Sequence, residues 1–333
     1  MPSTPPSRSW RIHRLGEPEV ALELDETPPR EPGPGEVRVS VEAVGLNFPD
    51  LLLCAGRYQE RPELPFSPGY EAAGTVVEAG AGSAHRVGQP VIVVPELPDG
   101  AMQGSLTVPD TRVYPVPSTL SMSTAAVLHI AYTTAHLALH RRGALRAGET
   151  VLVSGGAGGV GSAVIQLAKT AGARVVALAT GPARADACTT LGADVAIDLS
   201  VEDDLVDRVR AATDGKGADV VVDVVGGALF DQLRRCVGFE GRLVTAGFTS
   251  GVVPAAPLNH LLLRDYAVVG LNMATYRRAD PALLRRIHDE LVQLVTDGRI
   301  APAIYRELPF ERAPEGLALL AERQVIGRVV LSR

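Results

Sequence analysis

From about residue 10 to residue 115 the apolar positions fall in short alternating runs broken by Pro and Gly, as in Val37-Arg38-Val39-Ser40-Val41 and Gly74-Thr75-Val76-Val77. A period of two turns one face of a strand inward and the other outward, so this third of the chain reads as half-exposed β structure. Near residues 120–125 the texture changes to Ala-rich segments of helical length, the first running from Thr124 to His140 with Ser123 placed to cap it. Beyond it, short apolar strands are predicted at Thr150–Val153, Arg174–Ala179, Val195–Ile197, Asp219–Val224, Arg242–Thr245 and Ala267–Leu271. Helices are predicted between them, at Gly161–Thr170, Ala183–Leu191 and Ala228 to about Val237. Strands that are apolar along their whole length are covered on both faces, and six of them alternating with helices predict a doubly wound parallel sheet. A helix from Pro281 to about Thr296 and a last strand, Gly327–Leu331, complete the pattern, and spacing alone does not assign them to either half.

Length and charge narrow the possibilities. At 333 residues the chain has room for two domains, each with its own core. The 32 basic and 38 acidic side chains leave a net charge of -6, and no run of Lys or Arg could follow a phosphate backbone, so no nucleic-acid partner is expected. The start MPSTPPSRSW lacks the apolar stretch of a secretory signal, and no window approaches about 18 uninterrupted apolar residues. A cytoplasmic protein with no membrane partner is therefore expected. Cys54, Cys188 and Cys236 lie far apart in apolar contexts, where a thiol serves as a small buried hydrophobe.

The strongest chemical signal is Gly156-Ala157-Gly158-Gly159-Val160-Gly161, preceded by Gly155, which follows a predicted strand and opens a helix. Its glycines permit a tight turn, close approach of backbone to a pyrophosphate, and close helix–strand packing, while the free N–H groups at the helix start attract the diphosphate. A dinucleotide is the expected ligand. Where the next strand ends, at Thr180-Gly181-Pro182-Ala183-Arg184, a site selective for NADH would carry Asp or Glu for the ribose 2′-hydroxyl, and no carboxylate stands there. Thr180 can hydrogen-bond and Arg184 can hold a 2′-phosphate, so NADPH is the expected cofactor. The structural alternative is that Arg184 is a solvated side chain at a helix start.

Asn47-Phe48-Pro49-Asp50, Pro68-Gly69-Tyr70-Glu71-Ala72-Ala73-Gly74 and the glycine turn stand in an order and spacing that resembles the medium-chain dehydrogenase/reductase superfamily. The chain is similar within it to the zinc-free NADPH:quinone oxidoreductases, the zeta-crystallin-like family, whose texture recurs in Gly241-Arg242-Leu243-Val244, Pro257-Leu258-Asn259 and Gly327-Arg328-Val329-Val330. The resemblance implies a mostly β, GroES-like catalytic domain of residues 1–123 and 275–333, into which an α/β Rossmann domain of residues 124–274 is inserted, with the active site in the interdomain cleft. It further implies Thr134 near the nicotinamide, Gly226, Gly247 and Phe248 after later strands, and Arg328 near the pyrophosphate. Phe248 has packing as its alternative. The family's edge strand, matching Ala267–Leu271, joins two copies, so a homodimer is expected.

Zinc-dependent relatives have a Cys where this chain has Asn47 and a His where it has Tyr70, and an amide and a phenol do not replace a thiolate and an imidazole as zinc ligands. The closely spaced cysteines of a structural zinc lobe are missing too, and no metal is expected. Hydride delivery without a Lewis acid suits an acceptor whose developing oxyanion needs only hydrogen-bond donors, a small-molecule electrophile such as a quinone or enone. Asn47, Asp50 and Tyr58 are the polar catalytic candidates, and the segment Cys54-Ala55-Gly56-Arg57-Tyr58 also resembles the part of enoyl-thioester reductases that carries their catalytic Tyr. Each has a structural alternative: Asp50 as the cap of the helix containing Leu51 to Cys54, Tyr58 as pocket lining, Asn47 as an amide bonded to backbone. The runner-up activities are enoyl-thioester reduction and a non-catalytic, cofactor-binding role.

Overall fold

A computed structural model describes residues 7–333. The chain divides into two compact units, one ending at Ile130 and resuming at Ile304–Arg333, the other spanning Ala131–Ala303. The first begins with an antiparallel pair, β1 (Ser7–Ile12) and β2 (Leu22–Thr27), joined across the short helix α1 (Pro18–Ala21). It continues through β3 (Glu36–Gly45), α2 (Phe48–Cys54), β4 (Ala72–Ala79), β5 (Pro90–Val93), β6 (Ser105–Pro109), β7 (Val113–Pro115) and α3 (Met122–Ala125).

The expected helix Thr124–His140 is broken into α3, α4 (His129–His136) and a π-helical segment at Leu137–Arg142, and the cap is Ser121, whose Oγ accepts from Thr124 N, not Ser123. The break follows from tertiary contact. The N–H of Ile130 is drawn off to the Glu71 carboxylate at 2.8 Å, and the tight i to i-3 turns at Val127 and Leu128 separate the two helices.

The second unit then alternates β8 (Thr150–Val153), α5 (Gly159–Thr170), β9 (Arg174–Ala179), α6 (Pro182–Thr190), β10 (Val195–Asp198), α7 (Leu205–Ala212), β11 (Ala218–Asp223), α8 (Ala228–Leu233), β12 (Val237–Thr245), α9 (Leu258–Arg264) and β13 (Ala267–Gly270). All neighbours pair in parallel, in the order β10-β9-β8-β11-β12-β13. The sequence therefore runs outward on both sides of β8, the Rossmann arrangement with its switch point at the β8 carboxyl end. Leu152, Val176, Val221 and Leu243 bury the sheet against Phe230, Leu233 and Val209 of the helices. Val237, expected at the end of a helix, instead opens β12, where it pairs with Ala218. The register then jumps to Arg242 opposite Val220, with Glu240 at φ +56° between them.

Two further helices, α10 (Met273–Ala279) and α11 (Pro281–Thr296), belong to this unit, although residues 275–303 were expected with the catalytic domain. The reason is what they touch. The inward stripe of α11 is Leu284, Ile287, His288, Leu291 and Leu294, and Gln166 on α5 exchanges two hydrogen bonds with the backbone of Ala301, at 3.0 and 2.6 Å.

The chain returns to the first unit through β14 (Ile304–Pro309), α12 (Ala313–Ala321) and β15 (Arg328–Ser332), giving a sheet ordered β14-β15-β3-β4-β5-β7. β3 changes partner midway: Glu36–Ser40 pair with β6, and Ala43–Gly45 with β15. The α/β Rossmann sheet and the mostly β, GroES-like unit completed by the C-terminal strand are thus both present. Among the described residues no helix is long and apolar enough to cross a membrane.

Candidate functional site

In the second unit the glycine turn joins β8 to α5 at the switch point. A Cβ on Gly161 would lie 2.1 Å from Gly155 O, and one on Gly156 would lie 2.9 Å from Cys188 Sγ, so both positions exclude any larger residue. Gly158 differs from them: the only neighbour of a Cβ there is Gly155 O at 3.3 Å, which leaves its outer side open. Ala157 is buried beneath the turn, while Gly159 and Val160 begin α5 half-buried, where the first N–H groups lack intrahelical acceptors.

Two buried side chains that the motif did not reveal brace this end of the sheet. Asp223, the last residue of β11, accepts from Ser154 Oγ at 2.7 Å and from the N–H groups of Val225 and Gly226, and Ser154 Oγ in turn accepts from Val224 N at 3.0 Å. The two strand ends flanking the switch point are thereby tied together. Phe248 packs onto this loop, since a Cβ on Gly226 (φ +68°) would meet its ring at 2.8 Å, and Gly247 lies against Val224. At 38% exposure Phe248 is not core packing. Gly226, Gly247 and Phe248 thus come together, whereas Thr134 on α4 has a separate contact, donating to Met273 Sδ at 3.4 Å.

At the end of β9, Thr180 is exposed and Gly181 N donates to Asp198 at 2.7 Å. Arg184, in the first turn of α6, is half-buried, and its Nε is shielded from water without a hydrogen-bond partner. Burial pulls its pKa down, opposed by the Cys188 thiol beside it. A guanidinium held this way lacks the carboxylate that normally compensates a desolvated charge.

The first unit gathers a second polar cluster. Glu71 is fully buried: Oε1 accepts from Arg328 Nη2 at 2.6 Å and from Asn47 Nδ2 at 3.3 Å, and Oε2 from Ile130 N. Arg328 is itself only 6% exposed and also donates through Nε to Leu46 O. Arg328, expected near a pyrophosphate, meets Glu71 and Leu46 O within this unit through Nη2 and Nε. Asn47 caps α2, and both hydrogens of its amide are taken, by Gly45 O at 3.0 Å and by Glu71. Asp50 receives Asn47 N on Oδ2 at 2.8 Å and Gly69 N on Oδ1 at 3.0 Å, so it closes the helix start reciprocally and holds the Gly69-Tyr70 loop. Tyr58 stacks edge-on against Tyr70, ring centroids 5.9 Å apart. Burial pushes the Asp50 carboxyl up to about 7, against the pull of its two N–H donors and Arg328, and burial likewise raises Glu71. Among the described residues no group of three or more His, Cys, Asp and Glu is placed to hold a metal ion.

A six-stranded Rossmann sheet with a glycine turn and, in the same chain, a GroES-like unit with a buried polar cluster define a medium-chain oxidoreductase. The sequence profile of the alcohol dehydrogenase GroES-like domain matches residues 33–118, and that of the zinc-binding dehydrogenases matches residues 159–289. The chain is 36% identical to quinone oxidoreductase-like protein 2 of Rattus norvegicus, over 98% of this chain and 93% of that one. It resembles the crystal structures of a Pseudomonas syringae quinone oxidoreductase (TM-score 0.89, 30% identity, 98% and 100% of the chains covered) and of Escherichia coli quinone oxidoreductase complexed with NADPH (TM-score 0.90, 28% identity, 98% and 100%). The chain belongs to the quinone oxidoreductase-like family of the medium-chain dehydrogenase/reductase superfamily.

The buried acids have a consequence for stability. Because the Asp50 pKa is about 7 in the folded chain against an ordinary 3.8, the native state keeps a proton that the unfolded chain releases across that interval. Stability from this group is full below about pH 4 and declines as pH rises towards 7, by on the order of 4 kcal/mol. Glu36, held at about 2 by Arg30, acts only below that window. Thermal melts of the wild type between pH 4 and 8 should show the decline, and Asp50→Asn should reduce it, leaving the part that comes from Glu71; parallel curves would rule out titration of Asp50.

Proposed function

We propose that this chain is an NADPH-dependent reductase that delivers a hydride to a quinone or a related α,β-unsaturated carbonyl without a zinc ion. The observation that carries the reading is Arg184, half-buried in the first turn of α6 after the second Rossmann strand, whose shielded Nε has no partner and which pairs with no carboxylate among the described residues. NADPH, when bound, supplies the hydride. The first-turn N–H groups of α5, with Gly156, Ala157, Gly158, Gly159, Val160 and Gly161, would hold its diphosphate, Arg184 and Thr180 its 2′-phosphate, and Thr134, Gly226, Gly247 and Phe248 its nicotinamide side. The NADPH complex of the similar Escherichia coli quinone oxidoreductase supports NADPH as the cofactor.

Zinc does not fit the residues present. Where a metal would need thiolate and imidazole there are an amide, a phenol and a carboxylate whose charge is already met by Arg328. Tyr58 is the proposed donor to the oxygen that gains charge as the acceptor takes hydride at carbon and a proton at oxygen. With both amide hydrogens used internally, Asn47 is not that donor, and together with Asp50 it positions the loop on which Tyr70 sits.

We also propose a homodimer in a cytoplasmic setting. β13 pairs on one side only, and beside it α9 exposes Leu258, Leu262 and Leu263 at 75–78%. Such an edge and apolar patch suit a second copy. Sedimentation should give twice the chain mass for the wild type and the single mass for Leu262→Glu; a monomeric wild type would refute the dimer.

Steady-state kinetics with a naphthoquinone test the site itself. Arg184→Ala should raise the KM for NADPH at least about tenfold more than that for NADH, as loss of a charge-assisted phosphate contact requires. Equal effects on both cofactors would remove the argument for NADPH. Tyr58→Phe should lower kcat roughly a hundredfold, and unchanged turnover would reduce Tyr58 to lining.

A further inference from the structure

Five arginines with side chains 7–19% exposed, Arg38, Arg112, Arg234, Arg242 and Arg328, each meet a carboxylate. Arg184 and Arg277 differ from these five, each with a buried Nε that has no partner among the described residues. Arg184 has its ligand in the reading above. Arg277 has none so far, and an unmet buried donor is costly enough, at about 1–3 kcal/mol, to ask what meets it.

Its position is informative. Arg277 lies on α10 one turn after Met273, and residues four apart share a helix face with side chains leaning towards the N-terminus. Arg277 thus shares a helix face with Met273, whose Sδ receives the Thr134 hydroxyl. The helix start is already satisfied, since Asn272 Oδ1 accepts from Ala274 N and Thr275 N. The nearest acid in sequence, Asp280, is turned to cap α11 through Leu283 N at 3.0 Å. Arg278 beside it adds a second, exposed positive charge.

We propose that Arg277 sets acceptor specificity by receiving an anionic group, a carboxylate, sulfonate or phosphate, carried by the electrophile on the nicotinamide side of the second unit. This rests on the NADPH reading, which puts Thr134 on that side. A planar fork of N–H donors with no acceptor of its own is suited to such a group, and a neutral quinone would leave it unmet.

The test compares wild type, Arg277→Gln and Arg277→Lys as full chains with NADPH and three acceptors: 1,4-naphthoquinone, its sulfonate, and crotonyl-coenzyme A. Arg277→Gln should lower the sulfonate-to-neutral ratio of kcat/KM by about tenfold or more, the scale of one charge-assisted hydrogen bond, and Arg277→Lys should restore part of it. The Kd of the sulfonate for NADP-loaded protein, measured by calorimetry without turnover, should rise in parallel. If the thioester alone shows the loss, the anion is the carrier's phosphate and the assignment stands for that source. An unchanged ratio with an unchanged thioester rate overturns it, as does an equal loss with every acceptor explained by weaker NADPH binding. Wild-type NADPH oxidation with none of the three acceptors would remove the proposed function, and this inference with it.

Discussion

The first unit is organised around one carboxylate with no access to water. Glu71 draws together the end of β3 through Asn47, the C-terminal strand through Arg328 and the first turn of α4 through Ile130, three segments far apart in sequence. Burying a carboxylate is tolerable only when its oxygens are met, and removing one partner of such a pair typically costs about 3–5 kcal/mol. The geometry at Asn47 follows from this. A carboxylate and a carbonyl can only accept, so the amide must present its nitrogen to both, and α2 begins where that amide is fixed.

A different constraint governs the second unit: close approach. Gly161 and Gly156 bring α5, β9 and α6 so near the turn that a methyl group would collide with backbone or with Cys188. Cys188 is thus a packing residue, its thiol pushed up to about 11 by burial. The bond from Ser154 to Asp223 then fixes the loop after β11 relative to the turn, so that both edges of the switch point are held by buried polar groups as well as by the sheet. The open side of Gly158 and the unmet Arg184 are what such a rigid frame leaves for a ligand.

Much of this was legible from residues alone, for physical reasons. β8, β9 and α11 run between the residues expected of them, because continuous apolar runs and a 3.6-residue stripe report burial directly. The glycine turn was legible because few residue types tolerate its contacts. What was not legible depended on partners distant in sequence. The helix to His140 broke at Leu128 because Glu71 claims Ile130, and the cap is Ser121, which accepts from Thr124 N, in place of Ser123. The membership of α11 depended on which surface its apolar stripe meets. Glu71 stands inside the Pro68–Gly74 motif yet carried no signal of its own, since its partner Arg328 lies 257 residues away. Asp223 stood inside the expected strand Asp219–Val224, and only the loop after it shows why an acid stands there.

In the proposed function Asn47 and Tyr70 stand where zinc-dependent relatives carry Cys and His, Tyr58 serves the oxygen that gains charge, and hydride transfer would need NADPH and protein groups alone. The most direct measurement is NADPH oxidation with naphthoquinone by protein whose zinc content has been determined after exhaustive chelation. The account predicts that turnover persists at full rate with far less than one zinc per chain and is not raised by adding zinc back. Activity that disappears with the metal and returns with it would contradict the account.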